Sequence, residues 1–104
     1  MRDSRGHSAT FQVLKDERAS VVGPLDFGTV TGLLPQGSAA IVAGQASIID
    51  LGGVADSDSS GLALLIEWLS VAKAAGRSLR YESMPGQLHQ LALLSEVDEL
   101  LAAR

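Results

Sequence analysis

Residues 58–62, Asp-Ser-Ser-Gly-Leu, place a carboxylate and two hydroxyls between a strand-like run over residues 46–51 and an apolar helical run over residues 62–75. A hydroxyl at such a junction reaches the first turn of a helix, where backbone N–H groups lack intrahelical partners. The helix dipole favours negative charge at the same place. Ser59 therefore has three chemical roles open to it: capping the helix, accepting a phosphate, or touching a partner.

Other chemistry is poorly supplied. Asp56-x-Asp58-x-Ser60-Gly61, with Glu67 at the twelfth place, approaches the spacing of a calcium loop. The flanks contradict it, because a strand precedes it and its second half, residues 62–66, reads as helix and core. No Gly-x-Ser-x-Gly elbow is present, so a serine hydrolase lacks its usual strand-to-helix turn. The two histidines are His7, in the amino-terminal tail, and His89, on a short helix, and a Ser59–His89 catalytic pair has only residue type behind it. Asp50, Asp56 and Asp58 read as solvated or capping carboxylates. With no cysteine, no histidine pair at metal spacing and no glycine-rich phosphate loop, no metal, no cofactor and no enzymatic activity are expected.

The elements that must position the serines follow from periodicity. Residues 1–10 read as a flexible tail and residues 11–104 as one domain. Phe11, Val13 and Leu14 form one arm of a hairpin, and residues 19–22 form the other, ending at Gly23-Pro24. Asp26 is an N-cap for a helix carrying Phe27, Val30, Leu33 and Leu34 at helical intervals. Pro35 and Gly37 predict a break there, then a second weak helical stretch over residues 38–43. Residues 46–51, bounded by glycines, predict a buried central strand. The long helix ends at Gly76, with Lys73 and Arg77 near its carboxyl end. Residues 78–84 predict another strand, and Pro85 opens a helix carrying Leu88, Leu91 and Ala92. Residues 95–98 resemble a capping arrangement before a final turn over residues 99–103. The fold class is α/β: a mixed four-stranded sheet with an amino-terminal β-hairpin, a parallel core and helices on one side.

At about 100° per residue, the long helix is apolar twice over. Leu62, Leu65, Ile66, Leu69 and Ala72 share the face meant for the sheet. Leu64, Trp68, Val71 and Ala75 lie nearly opposite, leaving only a narrow polar strip. A second apolar face calls for a cover, either another helix or a partner. Trp68 weighs toward a partner, since tryptophan is enriched at binding hot spots. Asp58, Ser59, Ser60, Leu64, Trp68 and Val71 are thus the expected partner interface.

Composition narrows the class of partner. A net charge of −4, with scattered basic residues and few aromatics, argues against a nucleic-acid surface. No apolar stretch is long enough to span a bilayer, and no basic amphipathic helix points to direct membrane insertion. The expected partner is another protein, in the cytoplasm.

With Asp58-Ser59-Ser60-Gly61-Leu62 set between strand and helix, residues 11–103 resemble the STAS domain, a family covering bacterial anti-anti-sigma factors and the cytoplasmic tails of sulfate transporters. In the anti-anti-sigma branch the residue matching Ser59 is phosphorylated by a partner kinase, and this abolishes binding to the anti-sigma factor. A second branch is the MlaB-like subunit of the Mla phospholipid ABC transporter. Several segments look closer to it: residues 23–27 (Gly-Pro-Leu-Asp-Phe), residues 61–69, Ala75-Gly76 before Leu79, and Pro85-Gly86-Gln87-Leu88 with Leu91-Ala92. This resemblance implies a STAS-like fold and a non-enzymatic subunit that binds the cytoplasmic ATPase, with the permease completing the complex at the inner face of the inner membrane. It also implies that the helix beginning at Ser59 contributes to the contact. The alternative is an anti-sigma-factor antagonist switched by phosphorylation at Ser59.

Overall fold

Strands β1 (Thr10–Val13) and β2 (Arg18–Leu25) pair antiparallel around a turn in which Asp16 and Glu17 both take positive φ, 62° and 59°. Such a turn matches the right-handed twist of its strands. The computed structural model describes residues 8–94. Helix α1 (Phe27–Val42) follows, then β3 (Ile48–Ser57), helix α2 (Ser59–Ala74), β4 (Arg80–Glu82) and helix α3 (Gly86–Leu94). The sheet order is β1-β2-β3-β4, with β2, β3 and β4 parallel. Both parallel connections are βαβ units, so the start of each following helix stands at the carboxyl ends of the strands.

Alternation along the strands decides which face the helices cover. Ala19, Val21, Ile49 and Leu51 point inward and are fully buried, while Gln12 and Val22 on the other face are exposed. That outer face is tied by charge, with Glu82 bonded to both Arg18 and Arg80 across and along the sheet. The expected α/β sheet with its hairpin and one-sided helices is the observed fold.

Boundaries differ from expectation in instructive ways. Strand β2 continues through Gly23 and Pro24 to Leu25, with register shifts against β3 that absorb the irregularity. Strand β3 runs past Gly52-Gly53 to Ser57, because β2 lies beside it along that whole length. Strand β4 is only three residues long. Helix α3 begins at Gly86, just after Pro85, whose carbonyl accepts from the His89 N–H at 3.0 Å. Gly76, at φ 70°, terminates α2 as its spacing predicts. The expected capping arrangement at 95–98 and final turn at 99–103 lie outside the described residues.

The largest correction concerns α1. The break at Pro35 and Gly37 does not occur, and one helix runs through both. Pro35 is exposed, so the Thr31 carbonyl that it deprives of a donor sits on the solvent side; Gln36 Nε2 donates to the neighbouring Gly32 carbonyl at 3.0 Å. Thr29, Leu33, Gly37, Ala40 and Ile41 form the buried stripe. Small residues in that stripe bring α1 close against α2, and this packing outweighs the cost of an internal proline.

Candidate functional site

Both helix N-termini at the carboxyl ends of β2 and β3 are fastened by aspartates. Asp26 accepts from the N–H groups of Gly28 at 2.9 Å and Thr29 at 3.1 Å, while Thr29 Oγ1 accepts from the Asp26 N–H at 3.0 Å and donates to the Pro24 carbonyl at 2.9 Å. Asp58, in extended conformation (φ −112°, ψ −166°), accepts from the Ser60 N–H at 2.8 Å. Its own N–H donates to the Leu25 carbonyl at 3.1 Å, which anchors the start of α2 to the end of β2. A carboxylate suits this position better than a hydroxyl, because it adds charge complementary to the dipole. Of the three roles open to Ser59, capping is therefore taken by Asp58.

That arrangement leaves the serines free for other work. Ser59 occupies the first helical position with its side chain exposed, and no described hydrogen bond engages its hydroxyl. Ser60 is half-buried and faces a groove between α1 and α2. Beneath them, Ser57 is buried, its N–H donating to Gln87 Oε1 at 2.9 Å and its hydroxyl donating to the Asp58 carbonyl at 3.1 Å. Gly61 completes the motif: a Cβ there would stand 2.9 Å from Leu25 Cβ and closer still to the Ser57 hydroxyl. The first turn of α2 thus rests directly on the ends of β2 and β3.

The remaining expected interface residues are placed differently. Trp68 is fully buried and Leu64 is 4% exposed, so the apolar ridge is not a surface. The indole lies between α1 and β1, donating from Nε1 to the Leu34 carbonyl at 3.2 Å and meeting the Phe11 ring at 5.6 Å between centroids. Gly37 of α1 makes room for it. Val71 is half-buried against the same core. The second apolar face of α2 is covered by the chain itself, because α1 is continuous where a break was expected.

Two concavities flank the tip of α2. One is a polar cleft of about 340 Å³ lined by Pro24, Leu25, Asp26, Asp56, Ser57, Asp58 and Gln87. The other is an apolar groove of about 380 Å³ along the upper halves of α1 and α2, where Phe27, Val30 and Leu34 face Ala63 and Leu64. Phe27 is 77% exposed. Its place in the apolar periodicity of α1 made it look like core. The buried stripe instead starts at Thr29, and Phe27 belongs to the adjacent stripe that borders the groove.

The calcium-loop spacing is divided here between the end of β3, which holds Asp56, and helix α2, which holds Ser60 and Glu67. Among the described residues no group of acidic or histidine side chains is arranged to hold a metal. His89 is exposed on α3, and no described hydrogen bond joins it to Ser59; His7 lies outside the described residues. Among the described residues no helix is long and apolar enough to cross a membrane.

Comparison with known proteins places the geometry. Solved structures that share the fold include the anti-sigma factor antagonist SpoIIAA in its unphosphorylated form (18% identity, TM-score 0.67, covering 86% of this chain and 82% of that one) and the Bacillus cell fate determinant SpoIIAA in its phosphorylated form (18% identity, TM-score 0.65, covering 86% and 84%). No curated protein matches this sequence. A family model described as "Mlab, STAS domain" matches residues 11–102. Spanning nearly the whole chain, that match makes this protein a member of the STAS-domain family.

Proposed function

We propose that this protein is a non-enzymatic STAS subunit that binds and supports the cytoplasmic ATPase of a Mla-type phospholipid ABC transporter. It would work with the permease at the inner face of the inner membrane, in maintaining outer-membrane lipid asymmetry. The observation carrying this reading is the exposed tip of α2, Asp58-Ser59-Ser60, standing beside an apolar groove with Phe27 uncovered at its rim. Exposed aromatic area next to unengaged hydroxyls is the chemistry of a contact surface rather than of a reaction centre. The description of the matching family favours the transporter branch. Of the residues expected at the interface, Asp58 and Ser59 are exposed, Ser60 and Leu64 line the groove, and Trp68 and Val71 lie outside its lining.

The protein purified from its native cells should bring the ATPase with it, and Ser60→Arg at the groove rim should abolish that association while the circular dichroism spectrum stays unchanged. Retention of the ATPase by Ser60→Arg removes the interface, and a wild-type protein that brings no ATPase removes the transporter reading.

A second reading is an anti-sigma-factor antagonist switched by a kinase at Ser59. The exposed hydroxyl at the first helical position favours it, since a phosphate there is tolerated by the helix while its bulk and charge crowd the contact surface. Under this reading Ser59→Asp releases the partner and Ser59→Ala holds it permanently. Equal retention by both variants fits the transporter subunit.

A further inference from the structure

Basic charge on this molecule is sorted by the topology. Every lysine and arginine among the described residues lies toward the amino ends of the parallel strands: Lys15 in the hairpin turn, Arg18 opening β2, Lys73 in the last turn of α2, Arg77 after it, and Arg80 opening β4. The opposite end, with the two helix N-termini, carries Asp26, Asp56 and Asp58, and Glu67 lines the groove from α2. The helix dipoles favour Asp26 and Asp58 at the N-termini and Lys73 in the last turn of α2, whereas Arg18 and Arg80 open strands and are paired with Glu82. The result is an apolar groove with one acid, Glu67, in its lining, Asp26 and Asp58 in the adjoining cleft at the same end, and, among the described residues, no lysine or arginine in its lining.

From this pairing we infer that the groove between α1 and α2 seats a cationic amphipathic helix of a partner protein, its apolar ridge on Phe27, Val30, Leu34, Ala63 and Leu64 and its Lys or Arg flanks toward Glu67, Asp26 and Asp58. The inference rests on the reading of this end as a protein-docking surface. Two helices lying side by side present a furrow that takes the ridge of a third. From residue 27 to residue 34 the furrow runs roughly 10 Å, enough for about two turns of the incoming helix. These acids disfavour other occupants: an anionic bilayer, a nucleic acid, and the same acidic end of a second copy all meet like charge.

A photo-crosslinking residue, p-benzoylphenylalanine, placed at position 27 or at position 59 of the full chain in its native cells tests this. Both positions should crosslink to one polypeptide. The peptide captured at 27 should carry apolar residues at i, i+3, i+4 and i+7 between lysines or arginines. Capture at 27 of a lipid, a nucleic acid, this chain itself, or an acidic or uncharged segment overturns the inference. Crosslinking at 59 with silence at 27 overturns it too, and leaves the docking reading standing; silence at both removes both.

With the captured partner purified, Glu67→Lys should weaken binding about tenfold at low ionic strength, and by much less near ~0.5 M salt, where charges are screened. Gln12→Lys, on the exposed outer sheet face, should leave binding unchanged. A loss for Glu67→Lys that is equal at both salts overturns the charge assignment.

Discussion

Gly37 and Trp68 fit each other so closely that a Cβ on residue 37 would stand 2.6 Å from the indole Nε1, the atom that donates to the Leu34 carbonyl. Alanine normally stabilises an exposed helix interior relative to glycine by ~1 kcal/mol. Here the sign should reverse. Gly37→Ala is expected to destabilise the domain by about 2–3 kcal/mol, because a methyl group must displace a ring held on all sides. Urea denaturation checks this, and an unchanged or raised midpoint would mean that α1 does not lie against the indole.

Trp68→Ala should cost about 3–5 kcal/mol, the range for emptying a large aromatic site in a core. Trp68→Phe should cost less, losing the hydrogen bond to Leu34 and part of the contact with Phe11. Calorimetric melting of the two variants gives the order. Any loss of partner binding by Trp68→Asp would therefore report unfolding and not a lost anchor.

At the tip of α2, three substitutions should separate scaffold from surface. Gly61→Ala should destabilise by at least 1–2 kcal/mol, roughly, because its methyl group meets Leu25 and Ser57. Asp58→Ala should cost about 1 kcal/mol through the lost cap. Ser59→Ala should stay within about 0.5 kcal/mol of wild type, as expected of an exposed side chain without internal bonds. Thermal melts of the three proteins in one buffer are sufficient, and a large loss for Ser59→Ala would return that hydroxyl to a structural role.

Tyr81 supplies an alkaline test. Burial raises its phenol well above the ordinary value of 10.0, and its hydroxyl donates to the Leu65 carbonyl at 2.7 Å. Folded protein therefore keeps this proton at a pH where unfolded chain has lost it. Stability attributable to the group is constant below pH 10.0 and falls as pH rises from there toward the folded value. As the chain's single tyrosine, it gives a clean ultraviolet titration. Tyrosinate absorbance should rise together with loss of helical signal, and free titration near pH 10 in intact protein would refute the burial.

Much of this architecture can be read from residue order. Asp26 and Gly76 mark helix ends, and the β-branched opening of β3 and the turn at 15–18 mark strands, because each signal is local and cheap to satisfy in only one conformation. The strand-to-helix junction was legible at Asp58-Ser59-Ser60, though the sequence did not say which of the three caps the helix. What failed was long-range. Pro35 and Gly37 signal a break by local chemistry, but Trp68, more than thirty residues later, supplies the packing that keeps α1 whole. The same miscount exposed Trp68 on paper and hid Phe27. The stripe Thr29, Leu33, Gly37, Ala40 and Ile41 held the answer, in small residues that a count of large apolar side chains passes over.

The buried indole has one more use. Because the chain has a single tryptophan, carried by α2 and tied to a carbonyl of α1, its emission colour reads the distance between those helices without any added dye. A visitor that settles on intact scaffolding should leave the spectrum where it was, whereas one that pries the pair apart would let water in and shift it to the red.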